Sequence, residues 1–190
     1  LRLLPERISA ETDAAIKKEL QDQLEEAATT VNTKRGESMK YYRLSLEMVE
    51  ADTSAEVVHT TYYFLCFLHY KANAYYNAAV LGEFLAHRYP ESPTAIQGAK
   101  IALACYQKLY AEAAGDRQFE SDRMTAIAVY MVETWPKRPE ANDARMKLVP
   151  VMIDRGRFDL ATQYVEAMAD NTTRKQSMQR RLGRALWFKY

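Results

Sequence analysis

Three histidines, two cysteines and six glycines are the residues of this 190-residue chain from which a reactive centre could be built. Metal chemistry needs several His, Cys, Asp or Glu side chains converging on one point. His59, His69 and His87 form no His-Glu-x-x-His pair, and Glu83 with His87 shares a helix face at i, i+4, which is half a site at most and reads as an exposed polar pair. The expectation is no metal. Phosphate binding needs closely spaced glycines, and acyl transfer a Gly-x-Ser-x-Gly elbow; neither occurs. Cys66 and Cys105 lie in apolar helical runs and read as small core residues, and His69 reads as a core histidine rather than a base. No cofactor and no catalytic residue are expected. Asn171-Thr172-Thr173 matches a glycosylation sequon, but Thr173 also suits a helix cap.

The elements that would carry these residues are helical. Helical period dominates, no segment alternates as a strand, and six glycines with six prolines leave little for turn-rich β architecture. The formal net charge of +1 gives no global field for nucleic acid or a membrane surface. The longest uncharged run, VVHTTYYFLCFLHY, is shorter than the roughly 20 residues of a membrane span and reads as a buried helix. The chain opens on Leu1 rather than Met, so processing or excision is expected, and both cytoplasm and a bacterial periplasm or envelope stay open as compartments.

Nine helices are expected. Two occupy residues 1–51, about Ala10 to Val31 with Ile16, Leu20 and Leu24 on one face, then a second after a break at Gly36, forming an N-terminal hairpin that packs on the remainder. A capping box, Thr53 with Glu56, opens the third, and the fourth runs from Ala74 to Tyr89. YPESP stops it, with Ser92 as cap and Pro93 as first residue of the fifth; the same punctuation returns as WPKRP, with Pro136 and Pro139 in those places. Helices five to eight span about Thr94 to Ala113, Phe119 to Trp135, Pro139 to Arg155 and Phe158 to Ala169, and Thr173 with Gln176 caps a ninth.

Two reversals share a pattern. In DRGRFDLA, Gly156, Phe158 and Ala161 supply a left-handed residue, an aromatic wedge and a small residue for close approach; NAYYNA puts Asn73, Tyr75 and Ala78 at the same offsets. On a 34-residue register, Tyr62, Leu65, Cys66, Tyr75, Ala78 and Pro90, then Leu148, Phe158, Ala161, Leu182 and Gly183, match the positions of tetratricopeptide repeats, and the chain resembles that family over residues 52–190. The segment between Pro90 and Pro136 departs from it, being about a dozen residues too long, with Ser121 and Met124 where an aromatic and Ala belong; Pro150 inside helix seven is expected to kink the axis and free a carbonyl. The YPESP punctuation looks most like bacterial repeat proteins of the cell envelope.

The resemblance implies an all-α right-handed superhelix of stacked antiparallel helix pairs, with units at about 52–92, 93–138 and 139–173 and the first helix of a fourth at 174–190. Tyr190 falls where the fourth unit's own Gly would stand, so continuation of the chain or a capping role is expected of helix nine. The implied function is a non-enzymatic module binding a peptide or partner protein in the concave groove; the alternative is a spacer within a longer array or assembly scaffold. On the register, Tyr63, Phe67, Tyr70, Lys71, Gln97, Lys100, Gln107 and Lys108 line that groove, with Asp143, Met146 and Ile153 further along, unless residues 1–51 fold over it. The Asn residues of the family's carboxylate-clamp members are lacking there. From Asn171 onward Arg174, Lys175, Arg180, Arg181 and Arg184 form a basic patch with no acid, read as a solvated face or half an interface ahead of nucleic acid or lipid contact.

Overall fold

The computed structural model describes residues 3–170 and 173–189, which contain nine α-helices and no strand. The chain divides into two compact units, Leu1–Glu50 and Ala51–Tyr190.

The first unit holds α1 (Leu4–Ala10) and α2 (Ala14–Glu47). The expected hairpin about Gly36 does not form: α2 runs unbroken for 34 residues, so the count of nine agrees while its members differ. One glycine inside a helix costs about 1 kcal/mol against Ala, less than the cooperative loss of ending a helix there. Lys34 pairs with Glu37 across the position at 2.9 Å, and Arg35 donates to Asn32 Oδ1 at 2.8 Å in the turn before it. A Cβ at Gly36 would meet nothing within 4 Å. The true break is at residues 11–13, where Glu11 Oε1 accepts from the Thr12 and Asp13 amides and Asp13 Oδ1 caps α2 through the Ala15 and Ile16 amides. Of the expected apolar stripe, Leu20 is buried while Ile16 is exposed.

The second unit holds α3 (Ala55–Lys71), α4 (Tyr75–Arg88), α5 (Ala95–Glu112), α6 (Gln118–Thr134), α7 (Pro139–Asp154), α8 (Phe158–Glu166) and α9 (Thr173–Lys189). Ser54 rather than Thr53 is the cap residue of α3. Pro139 stands at the start of α7 as its spacing predicts, but Ser92 and Pro93 stay in the turn before α5, where Thr94 is the cap residue and Ser92 Oγ accepts from the Thr94 amide at 3.3 Å. Asn171 and Thr172 of the sequon lie outside the described residues, and Thr173 is the first residue of α9.

Asn73 (φ 59°) and Gly156 (φ 71°) both adopt the left-handed conformation. Each closes the same double hydrogen-bonded cap. Asn73 N donates to Tyr70 O (3.1 Å) and Ala74 N to His69 O (3.0 Å); Gly156 N donates to Ile153 O (2.9 Å) and Arg157 N to Met152 O (2.8 Å). At the first turn Tyr75 OH also donates to Asn73 Oδ1 at 2.9 Å, and at both the following alanine, Ala78 or Ala161, is fully buried. The α5 to α6 reversal uses no left-handed residue. There Arg117 turns back, its Nε donating to Ala113 O at 3.0 Å and its guanidinium lying 5.4 Å from the Tyr110 ring centroid.

Within this unit each helix packs on the next, and α5 on α3, α7 on α5 and α9 on α7. The core follows that sequence, with Leu85, Ile127, Met131, Leu148 and Val149 fully buried. Three bonds join α4 to α6, the second helices of the first two pairs: Tyr76 OH donates to Glu120, Tyr130 OH to Ala86 O and, at their C-terminal ends, Trp135 Nε1 to Pro90 O. Gly82 of α4 and Gly98 of α5 mark a close helix crossing: a Cβ at Gly82 would stand 2.4 Å from the Gly98 carbonyl oxygen. Pro150 lies inside a continuous α7.

Candidate functional site

The residues expected to line a groove separate into two groups. On α3, Tyr63 and Phe67 stack with ring centroids 6.4 Å apart, and the Lys71 ammonium lies 5.3 Å from the Phe67 centroid. Tyr70 instead leans on Tyr75 at 6.0 Å and on the core. On α5, Lys100 and Lys108 are exposed, whereas Gln97 donates to Glu140 Oε1 at 2.9 Å and so ties α5 to the start of α7.

Gln107 belongs to a cleft of about 510 Å³ crossing α5, α6, α7 and α9. Its apolar lining comes from Tyr110, Met124, Met146, Pro150, Val151 and Met178, and its polar rim from Ser121, Lys147, Asp154, Arg155 and Arg181. Met146, Pro150 and Asp154 share one face of α7 at i, i+4 and i+8, so Pro150, which has no N–H, leaves the Met146 carbonyl without its helical donor at the cleft. Methionines have unbranched polarizable side chains that fit varied apolar groups. Register reasoning reached Gln107 and Met146 and missed Tyr110, Met124 and Met178. The long second pair hid Met124, whose place at an alanine position was the signal.

The basic patch divides. Arg174 pairs with Asp143 of α7, and Lys175 donates to Asp170 Oδ1 (2.6 Å), Met168 O (3.1 Å) and Glu166 O (3.2 Å), where a cation offsets the negative end of α8. Arg174 therefore ties α9 to α7 and Lys175 ties it to the end of α8, and the ammonium beside Asp170 holds that carboxyl below its usual range. Arg180, Arg181 and Arg184 are exposed and make no ion pair among the described residues; with Ser177 they form one open face of α9. Arg181 belongs both to that face and to the cleft.

The groups with catalytic potential are tied into packing. Glu83, which has Tyr106 near it, pairs with Arg123 across α4 and α6, and the His87 ring lies 4.0 Å from Tyr130. Burial pushes both thiols, Cys66 and Cys105, up to about 12, so neither is a thiolate at neutral pH. His69 is buried. Among the described residues no three His, Cys, Asp or Glu converge as a metal site, and no helix is long and apolar enough to cross a membrane. No family model, curated protein or solved structure matches this chain.

Proposed function

We propose that residues 52–190 form a solenoid of the tetratricopeptide type, a right-handed superhelix of helix pairs, that works as a non-enzymatic interaction module binding a peptide or partner protein along the face of α3, α5 and α7. The observation that carries this reading is the serial packing of the helices, each on the next, with α5 also on α3, α7 on α5 and α9 on α7. Pairs joined only to their neighbours build an extended face, and such a face is a recognition surface. Aromatic side chains at Tyr63 and Phe67 and exposed cations at Lys71, Lys100 and Lys108 suit protein contact. A second reading, a spacer that works through stacking, is favoured by Trp187 and Phe188, which are 80% and 79% exposed.

Photo-crosslinking in the cells that make the protein tests the two. Benzoylphenylalanine replacing Phe67, Lys100 or Lys108 is expected to give a discrete covalent adduct, and the same group replacing Lys137, on the exposed turn between α6 and α7, none. Adducts found only from positions 187 and 188 would install the spacer reading. Adducts from none of these positions would end the interaction reading.

A further inference from the structure

The cleft and the arginine face beside it describe one ligand. The cleft carries Met124, Met146 and Met178; the face is cationic, with Arg180, Arg181 and Arg184 making no ion pair among the described residues; they meet at Arg181. In α7 Pro150 offers no N–H to the carbonyl of Met146, a residue of the cleft, so that carbonyl keeps an acceptor site for a ligand N–H. A continuous polyanion would match the arginines but not the methionines or Asp154 on the same rim. An apolar ligand would leave the arginines unused. Extended peptide chain supplies all three features at once: a side chain for the pocket, a backbone N–H, and carboxylates a few positions along.

We propose that this cleft binds an extended acidic peptide, with one apolar side chain among Met124, Met146 and Met178, a backbone N–H on the Met146 carbonyl, and Asp or Glu against Arg181, Arg180 and Arg184. The assignment rests on the interaction-module reading and adds to it the class of ligand and the place of binding. Complementary charge at the rim sets register and suppresses basic competitors.

Selection of a random linear peptide library on the full chain tests it. The expected consensus is a large apolar residue followed within a few positions by Asp or Glu. Binding of the selected peptide should fall roughly ten-fold for R181E, with partial recovery by a peptide whose acids are changed to lysine, and roughly ten-fold for M146A. The variant P150A separates ligand contact from packing. It returns an N–H to α7, so the thermal midpoint should rise while peptide binding weakens about five-fold. A rise in midpoint with unchanged binding would remove the carbonyl from the proposal. Peptides enriched without acids, or whose binding ignores R181E and M146A, would overturn the cleft assignment while leaving a peptide-binding module standing. No enrichment would count against both readings. Binding of RNA or anionic vesicles through the arginines, insensitive to M146A and with no acid-bearing peptide selected, would replace the proposal.

Discussion

Replacing Gly82 with leucine is expected to lower the stability of the helical unit by about 3 kcal/mol or more, a fall of roughly 6–12 °C in melting midpoint for a chain of this size. The cause is backbone against backbone. A Cβ at Gly82 would sit 2.4 Å from the Gly98 carbonyl oxygen and 3.2 Å from the Ala102 Cβ, and neither neighbour is the movable end of a long side chain. Ala78, Ala79 and Ala86 of α4 and Ala95, Ala99 and Ala102 of α5 are all fully buried, so the two helices meet through small residues and cannot absorb a branched one without separating. Helix propensity works the other way, since leucine is better than glycine by up to about 1 kcal/mol, and the steric term must exceed that gain. Gly183→Ala is the control: α9 has open space there, nothing lies within 4 Å of the added methyl, and the midpoint should rise by roughly 2–4 °C. Differential scanning calorimetry of the two variants reads both outcomes. A Gly82→Leu midpoint equal to that of the parent would mean that α4 and α5 do not cross at these glycines.

Gly156→Val is expected to cost about 2 kcal/mol, or roughly 4–8 °C, for a different reason. No atom outside the turn lies within 4 Å of the added Cβ, so the penalty is conformational: φ of 71° is a region that β-branched residues avoid. Asn73→Val should cost at least as much, because it also removes the acceptor of the Tyr75 hydroxyl. Asn73→Gly should be nearly neutral, its easier left-handed backbone offset by the loss of that hydrogen bond. Denaturant titration of the three variants measures these differences. Equal stability of Gly156→Val and the parent would show that the reversal does not use the left-handed cap.

The parts of the fold legible in the sequence are those set by local backbone chemistry. Asn73 and Gly156 could be placed in left-handed turns because few residues tolerate that conformation, and Pro139 at the start of α7 followed from its fixed φ and missing N–H. Gly36 misled because glycine is a breaker only by degree, and the polar flanks of α2 carry the helix through it. Asp13 lies inside the span Ala10 to Val31 expected of the first helix, whereas it is the cap of α2, because a short side-chain acceptor satisfies amides at a helix start. The crossing at Gly82 and Gly98 was present as small residues at helical spacing in AAVLGEFLA and AIQGAKIALA, yet its partner in space is fixed only by tertiary packing.

For the candidate site, a 34-residue register reached Gln107 and Met146 but could not carry Met124, since α6 is offset from α4 by 44 residues. Charge composition identified the α9 arginines as a group and could not tell which were spoken for. Asp143 takes Arg174, and the end of α8 takes Lys175.

Nuclear Overhauser spectroscopy of the full chain tests the proposed progression of helix pairs most directly. Cross-peaks are predicted between the Tyr130 ring and Ala86, and between the Trp135 indole and Pro90, with none connecting α3 to α9. Cross-peaks joining α3 to α9, with the Tyr130 to Ala86 and Trp135 to Pro90 signals missing, would describe a closed bundle and contradict the account.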